Sequence, residues 1–245
     1  MKYWVILFFL MYFNAYSQQE GPMETDRPDQ TECPYIVKKG YIQAEMGFNL
    51  NKELPNPNFN LPSTLWKYGL AKWIELRYVN NLLLDSSLHF KQEAIGFKVN
   101  LWDKKRYLPL TSLIVHYNLR DEKRDVSDKN YVPHSIGQVI LTFQHPIFKQ
   151  LGMGYNFGYE FHEDGTKEGI YRISPGLTFK KNWYAYAEIF GRFPVSEATD
   201  HWFDGGIAYY FNDDLKVDFS AGKSFFTDSE WYLALGLSFR FKVKK

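Results

Sequence analysis

Two places in this 245-residue chain bring together side chains of the kind that do chemistry. At residues 134–135 a histidine precedes a serine, the pairing a hydrolase uses when imidazole takes a proton from a hydroxyl nucleophile. At residues 162–169, "HEDGTKEG" gathers Glu163, Asp164 and Glu168, a weak signal for an acidic calcium loop. Neither reads as an active site. Adjacent residues on a strand point to opposite faces, so His134 and Ser135 are poorly placed for proton transfer. His89, His116, His145, His162 and His201 are scattered, and Cys33 is the only cysteine, so no metal set, triad or disulfide framework emerges. The residues therefore predict no catalytic group, no metal ligand and no cofactor.

A third constellation is "METDRPDQTECPYIVKKGY", residues 23–41. Glu24, Asp26, Asp29 and Glu32 stand against the single base Arg27, and Pro28 and Pro34 break any regular period. A short, charged, irregular stretch in front of the first regular element takes its meaning from what the rest of the chain builds.

Composition narrows that. Aromatic residues make up 19%, with 18 Tyr and 21 Phe, while the hydrophobic fraction is an ordinary 45%. A mean hydropathy of −0.40 excludes a bundle of membrane-spanning helices. Beyond the first 13 residues nothing approaches the ~20 consecutive apolar residues such a helix needs. The net charge is +1 and the bases are spread along the chain, so nucleic acid is not an expected partner. Residues 1–17, "MKYWVILFFLMYFNAYS", have the form of a secretory signal: Lys2, an apolar run from Tyr3 to Phe13, and a small-x-small site at Ala15-Tyr16-Ser17. Cleavage is expected near Ser17-Gln18, leaving a charged leader over 18–39.

From residue 40 the dominant signal is alternation. In "GYIQAEMGFNL", Ile42, Ala44, Met46, Phe48 and Leu50 alternate with Tyr41, Gln43, Glu45, Gly47 and Asn49; "LGMGYNFGYEFH" and "WYLALGLSFRF" alternate in the same way. About twelve such segments are expected, near 40–50, 62–70, 73–81, 93–102, 107–119, 135–144, 151–162, 168–179, 183–193, 202–211, 214–223 and 230–241. Many run about 10–11 residues, longer than the ~5–6 usual in globular sheets and enough for a tilted strand to cross a bilayer. The connections also alternate. Odd ones such as "NKELPNPNFNLP", "LLLDSSLHFKQE" and "RDEKRDVSDKNYVPH" are long or polar, while even ones such as "DKKR", "KKN" and "NDD" are tight. Outer-membrane barrels pair short periplasmic turns with longer external loops. A soluble lipocalin-like barrel or sandwich would show fewer, shorter strands and would have to bury nearly all the aromatics. The fold class expected is all-β: an antiparallel transmembrane barrel of about twelve strands over 40–245, in the outer membrane of a Gram-negative-type cell. Outer-membrane lipid is then a partner. So is the assembly machinery, which would read the aromatic finish Phe239-Arg240-Phe241. Tyr78, Trp102, Trp183, Trp202 and Trp231 suit interfacial girdles.

"TDRPDQTE" (25–32), followed by Val37 and "GYIQAEMGF" (40–48), resembles the opening of the phenol-degradation MetA-type family of outer-membrane proteins. "FDGGIAYYFNDDLKVDFSAGKSF" and the closing "GLSFRF" are similar to that family's end. The resemblance implies an outer-membrane barrel passing small organic molecules; it supplies no particular substrate.

If the apolar face meets lipid, the other face lines a lumen. Glu45, Glu75, Glu160, Glu188, Asp204 and Asp218 fall on that face with Lys67, Arg77, Lys98, Arg120, Arg172, Lys180, Arg192, Lys216 and Arg240, a formal excess of positive charge. The segment 24–32 is formally negative. Enclosed charges are costly unless paired, so the leader is expected to fold back as a plug, Glu24, Asp26, Asp29 and Glu32 facing luminal arginines. The alternative is a periplasmic leader whose charge match is coincidence. Tyr184, Tyr186, Tyr210 and Tyr232 could form an aromatic track for a ring-shaped solute or simply fill space. The functional expectation is a channel for small, aromatic or hydrophobic solutes. A sealed structural or adhesive barrel and a lipid-modifying enzyme stand as the other two readings.

Overall fold

Alternating side chains need two different surroundings, and the chain provides them by closing on itself. In the computed structural model, which describes residues 21–52, 57–84, 88–103, 108–121, 134–193, 200–226 and 230–243, twelve strands form one closed antiparallel barrel. Side chains at 52, 57–61, 83–84, 88–91 and 120–121 are also outside the description, as is the expected signal segment. The strands are β1 (Tyr41–Lys52), β2 (Pro57–Ala71), β3 (Ile74–Leu84), β4 (Leu88–Trp102), β5 (Leu110–Asp121), β6 (Ser135–Pro146), β7 (Leu151–His162), β8 (Lys167–Phe179), β9 (Trp183–Phe193), β10 (Asp200–Asn212), β11 (Leu215–Ser224) and β12 (Trp231–Lys242). Each pairs with its sequence neighbours, and β1 closes the ring on β12 from Tyr41↔Lys242 to Lys52↔Trp231. The expectation of a twelve-stranded barrel is met.

Burial is inverted relative to a water-soluble protein. Lys67 (1% exposed), Glu75 (0%), Lys98 (0%) and Lys216 (0%) point inward, while Phe97 (38%), Phe157 (49%) and Leu235 (60%) point out. Such an outer face is stable in hydrocarbon, where the closed ladder also leaves no unpaired edge.

Three expectations need correction. The connections after β1 and β3 are shorter than their polar composition suggested, because β2 and β4 each run to 15 residues and ladder pairing continues to Leu50↔Phe59 and Leu84↔Leu88. Polar residues do not stop a strand that has left the membrane and can face water on both sides. Lys180 lies in the β8–β9 turn with φ 53° and is exposed, so it is not part of the lumen wall. Trp202 belongs to the inner face, alternating with the outward Phe203, and stacks beside Phe190 and Tyr232 instead of forming a girdle.

Candidate functional site in the barrel lumen

Residues 21–39 carry almost no regular secondary structure, so their backbone amides and carbonyls must find partners elsewhere. They find them on the inner wall. The Asp26 N–H donates to Glu45 Oε2 (2.8 Å), Gln30 N–H to Glu188 Oε2 (2.7 Å), Glu32 N–H to Asn156 Oδ1 (2.7 Å) and Val37 N–H to Glu75 Oε2 (2.8 Å). The Glu32 carbonyl accepts from Thr142 and from Asn156 Nδ2 (2.9 Å), and the Pro34 carbonyl from Ser112 (2.6 Å). Lys98 Nζ donates to the Cys33 carbonyl (2.7 Å).

Asp26, Glu32 and Arg27 meet opposite charges on the wall. Asp26 is the most heavily engaged, with Lys67 at 2.8 Å, Arg77 at 3.1 Å and Lys98 at 3.4 Å. Burial alone would raise its carboxyl, but Lys67, Lys98 and Arg77 together hold it well below the usual carboxylate range. Glu32 lies 2.6 Å from Arg77 and 3.6 Å from Arg172, and again the bases outweigh burial and lower its pKa. Arg27 reverses the pattern, reaching Asp218 at 3.1 Å. It fits because Gly47 stands beside its guanidinium, where any Cβ would collide with it, while Gly236 leaves the matching space for Asp218. Asp29 accepts from the Ser174 hydroxyl (3.1 Å), and burial lifts its carboxyl to about 7.

The remaining site residues distribute as follows. The Glu24 carbonyl accepts from Gln43, while its side chain lines a cavity. Arg240 binds Asp214 (2.5 Å) and the Gly21 carbonyl (2.6 Å) at the end of the barrel carrying the termini. Asp204 takes the Tyr186 hydroxyl (3.3 Å) and that of Tyr232. At the opposite end Arg192 pairs with both Glu160 and Glu168, away from the segment. The Arg120 side chain lies outside the described residues. Charge alone does not reveal the neutral partners of the segment's backbone, Thr142 and Ser112 as donors and Asn156 as both donor and acceptor, and the lysines Lys67 and Lys98 share the counter-charge role expected of arginines. Nor does it reveal an apolar patch inside the lumen, Ile114, Ile140 and Ile170.

The segment separates two spaces. Toward the terminal end is a cavity of about 650 Å³ lined by Glu24, Asp29, Cys33, Tyr35, Tyr184 and Tyr210. Toward the other end is one of about 250 Å³, floored by Arg27, Pro28 and Gln30 and walled by Phe190, Trp202 and Tyr232. At residues 134–135 the His134 amide reaches toward Glu163 at 3.5 Å and the Ser135 carbonyl accepts from Asn118 Nδ2 at 2.7 Å. Among the described residues no group of three or more His, Cys, Asp or Glu could hold a metal ion.

A closed antiparallel ring, apolar outside and charged within, is a transmembrane β-barrel of the outer-membrane type. The chain belongs to the family described as "Putative MetA-pathway of phenol degradation", which it matches over residues 25–241. Among solved structures, an outer membrane channel from Pseudomonas putida F1 is similar with a TM-score of 0.59 at 6% identity, over 89% of this chain and 100% of that one. The KdgM porin is similar with a TM-score of 0.57 at 10% identity, over 81% of this chain and 99% of that one. At such identities the likeness establishes the fold. A search of curated proteins returned no match.

Proposed function

We propose that this protein is an outer-membrane channel for small solutes, aromatic ones included, with residues 18–39 of the exported chain acting as a plug. The observation that carries the reading is the segment itself: from residue 21 it lies between two lumenal cavities and is held by hydrogen bonds and ion pairs that water can replace. By the rule that short turns face the periplasm, the larger cavity opens there and the smaller, aromatic one outward. The similar proteins are themselves a channel and a porin, which supports passage over catalysis. The inner face offers a solute charges and rings.

The test is single-channel conductance of the refolded mature protein beside a form lacking residues 18–39. Small currents that rise sharply on deletion support the plugged channel. Silence from both forms, with folding shown by heat-modifiable gel mobility, would leave a sealed barrel. The filled patch at Ile114, Ile140 and Ile170 favours that second reading on one side of the lumen.

A further inference from the structure

The contacts of the segment divide unevenly along its length. Residues 32–37 and Asp26 are tied mainly to bases and neutral groups on β2–β8: Lys67, Arg77, Lys98, Ser112, Thr142, Asn156 and Arg172. The two carboxylates that accept from them, Glu45 and Glu75, each have a base within ion-pair distance. Residues 27–31 rest largely on carboxylates. Glu188 accepts from Gln30 N–H and the Thr31 hydroxyl, and Tyr186, whose hydroxyl reaches the Pro28 carbonyl at 3.2 Å, is also bonded to Asp204.

Glu188 on β9 and Asp204 on β10 are direct partners in the ladder, on the inner face, 1% and 0% exposed. Side chains so paired have Cβ atoms about 4.5–5.5 Å apart, and like charges there are destabilising. Asp29 adds a third carboxyl facing Glu188. Asp204 Oδ1 has no hydrogen-bond partner, and neither Glu188 nor Asp204 has a base within ion-pair distance among the described residues. The nearby bases are committed. Arg27 pairs with Asp218, while Lys216 on β11 is bound to Thr25 and the Arg27 carbonyl and lies 3.9 Å from Asp218. Arg172 on β8 serves Glu32. The other groups facing the cluster are Ser174 on β8, Tyr184 and Tyr186 on β9, and Tyr232 on β12, all neutral. Two or three carboxyls in one dry site do not all ionise; they hold shared protons.

We propose that residues 27–31 are a proton-operated gate, seated while Asp29, Glu188 and Asp204 share protons and released when they ionise, with residues 32–37 remaining as the anchor. The proposal rests on the channel reading above. Seating covers the carboxyls and release rehydrates them, so the seated state binds more protons and weakens as pH rises. For Asp29, held near 7 by burial, the loss runs from the ordinary carboxylate value of about 3.9 up to that point and then levels off.

The experiment compares bilayer currents at pH 5 and pH 8 for the mature protein, Asp29→Asn, a Glu188→Gln/Asp204→Asn double variant, and the form lacking 18–39. Wild-type current should rise several-fold from pH 5 to pH 8, the double variant should keep only the smaller part of that rise carried by Asp29, and the shortened form should conduct at both. Asp29→Asn, which leaves the wall untouched, should narrow the wild-type response. A spin label on Gln30→Cys in a Cys33→Ser background reads seating without reference to current and should be immobile at pH 5 and mobile at pH 8. An unchanged label, or a double variant that keeps the wild-type pH response, overturns the gate. A pH-sensitive label with every form electrically silent supports proton-linked seating and defeats the channel reading instead.

Discussion

Lys67 Nζ stands 2.8 Å from Asp26 Oδ2 across the lumen, with both side chains almost wholly withdrawn from water. Lys67 also contacts Glu45, and Asp26 also faces Arg77 and Lys98, so the pair is the centre of a network. Removing one partner of a buried pair commonly costs about 3–5 kcal/mol, because the other charge is left dry and unmatched. Asp26→Ala should therefore unseat the segment while the ladder stays closed. The readout is Cys33, whose N–H donates to Asp26 and whose thiol is raised well above its ordinary value by burial. Its alkylation should be slow in the wild type and at least tenfold faster in Asp26→Ala, with heat-modifiable mobility retained.

Gly47 predicts a second effect. A Cβ at this position would meet the Arg27 guanidinium, so Gly47→Val should expel Arg27 and break its contact with Asp218. Valine suits a strand, so β1 itself should tolerate the change. Conductance should rise toward that of the form lacking residues 18–39, and Gly69→Val, placed against the Val37 and Lys38 carbonyls, should disturb the anchor instead. Equal, wild-type currents from both variants would remove Arg27 from the account.

Much of the barrel was legible because period two has a physical cause: each strand meets lipid on one side and charge on the other. Glu45, Glu75, Lys98, Glu188 and Asp218 could be placed on the inner face from their strand neighbours alone. Trp202 could not, because Trp202-Phe203 offers two aromatics in succession and either could face lipid. The seats of the segment were also hidden. A charge count can match Asp26 to bases, but the irregular backbone needs acceptors for Gln30 N–H and Val37 N–H, and those turn out to be carboxylates. No like-with-like charge argument finds them.

At the acid end the sign of the pH effect changes. Asp26 and Glu32 have depressed carboxyls, so their ion pairs contribute fully above the ordinary carboxylate range of about 3.9–4.3 and are lost as pH falls below it. Asp29 acts in the opposite sense, weakening the seat as pH rises toward 7. Seating of residues 27–31 should thus be strongest near pH 4–5 and weaken on both sides, seen as a maximum in the immobilisation of the Gln30→Cys spin label. In Asp26→Asn the acid limb should shrink, since the main group that titrates there is gone.

The outward cavity carries the last expectation. Phe190 and Trp202 stack with centroids 6.3 Å apart and planes 15° from parallel, and Trp202 lies 6.1 Å from Tyr232. Rings turned into a water-facing lumen gain little unless another flat ring covers them, and an aromatic pair adds about 0.5–1.5 kcal/mol beyond its buried area. Converted to a rate or affinity, that is roughly twofold to tenfold. Trp202→Ala should therefore slow liposome entry of a single-ring aromatic solute by about that factor and leave an aliphatic solute of equal size unaffected. Equal slowing of both would mean the indole only shapes the passage, and no change in either would mean the rings serve as packing for Tyr232 over Asp204.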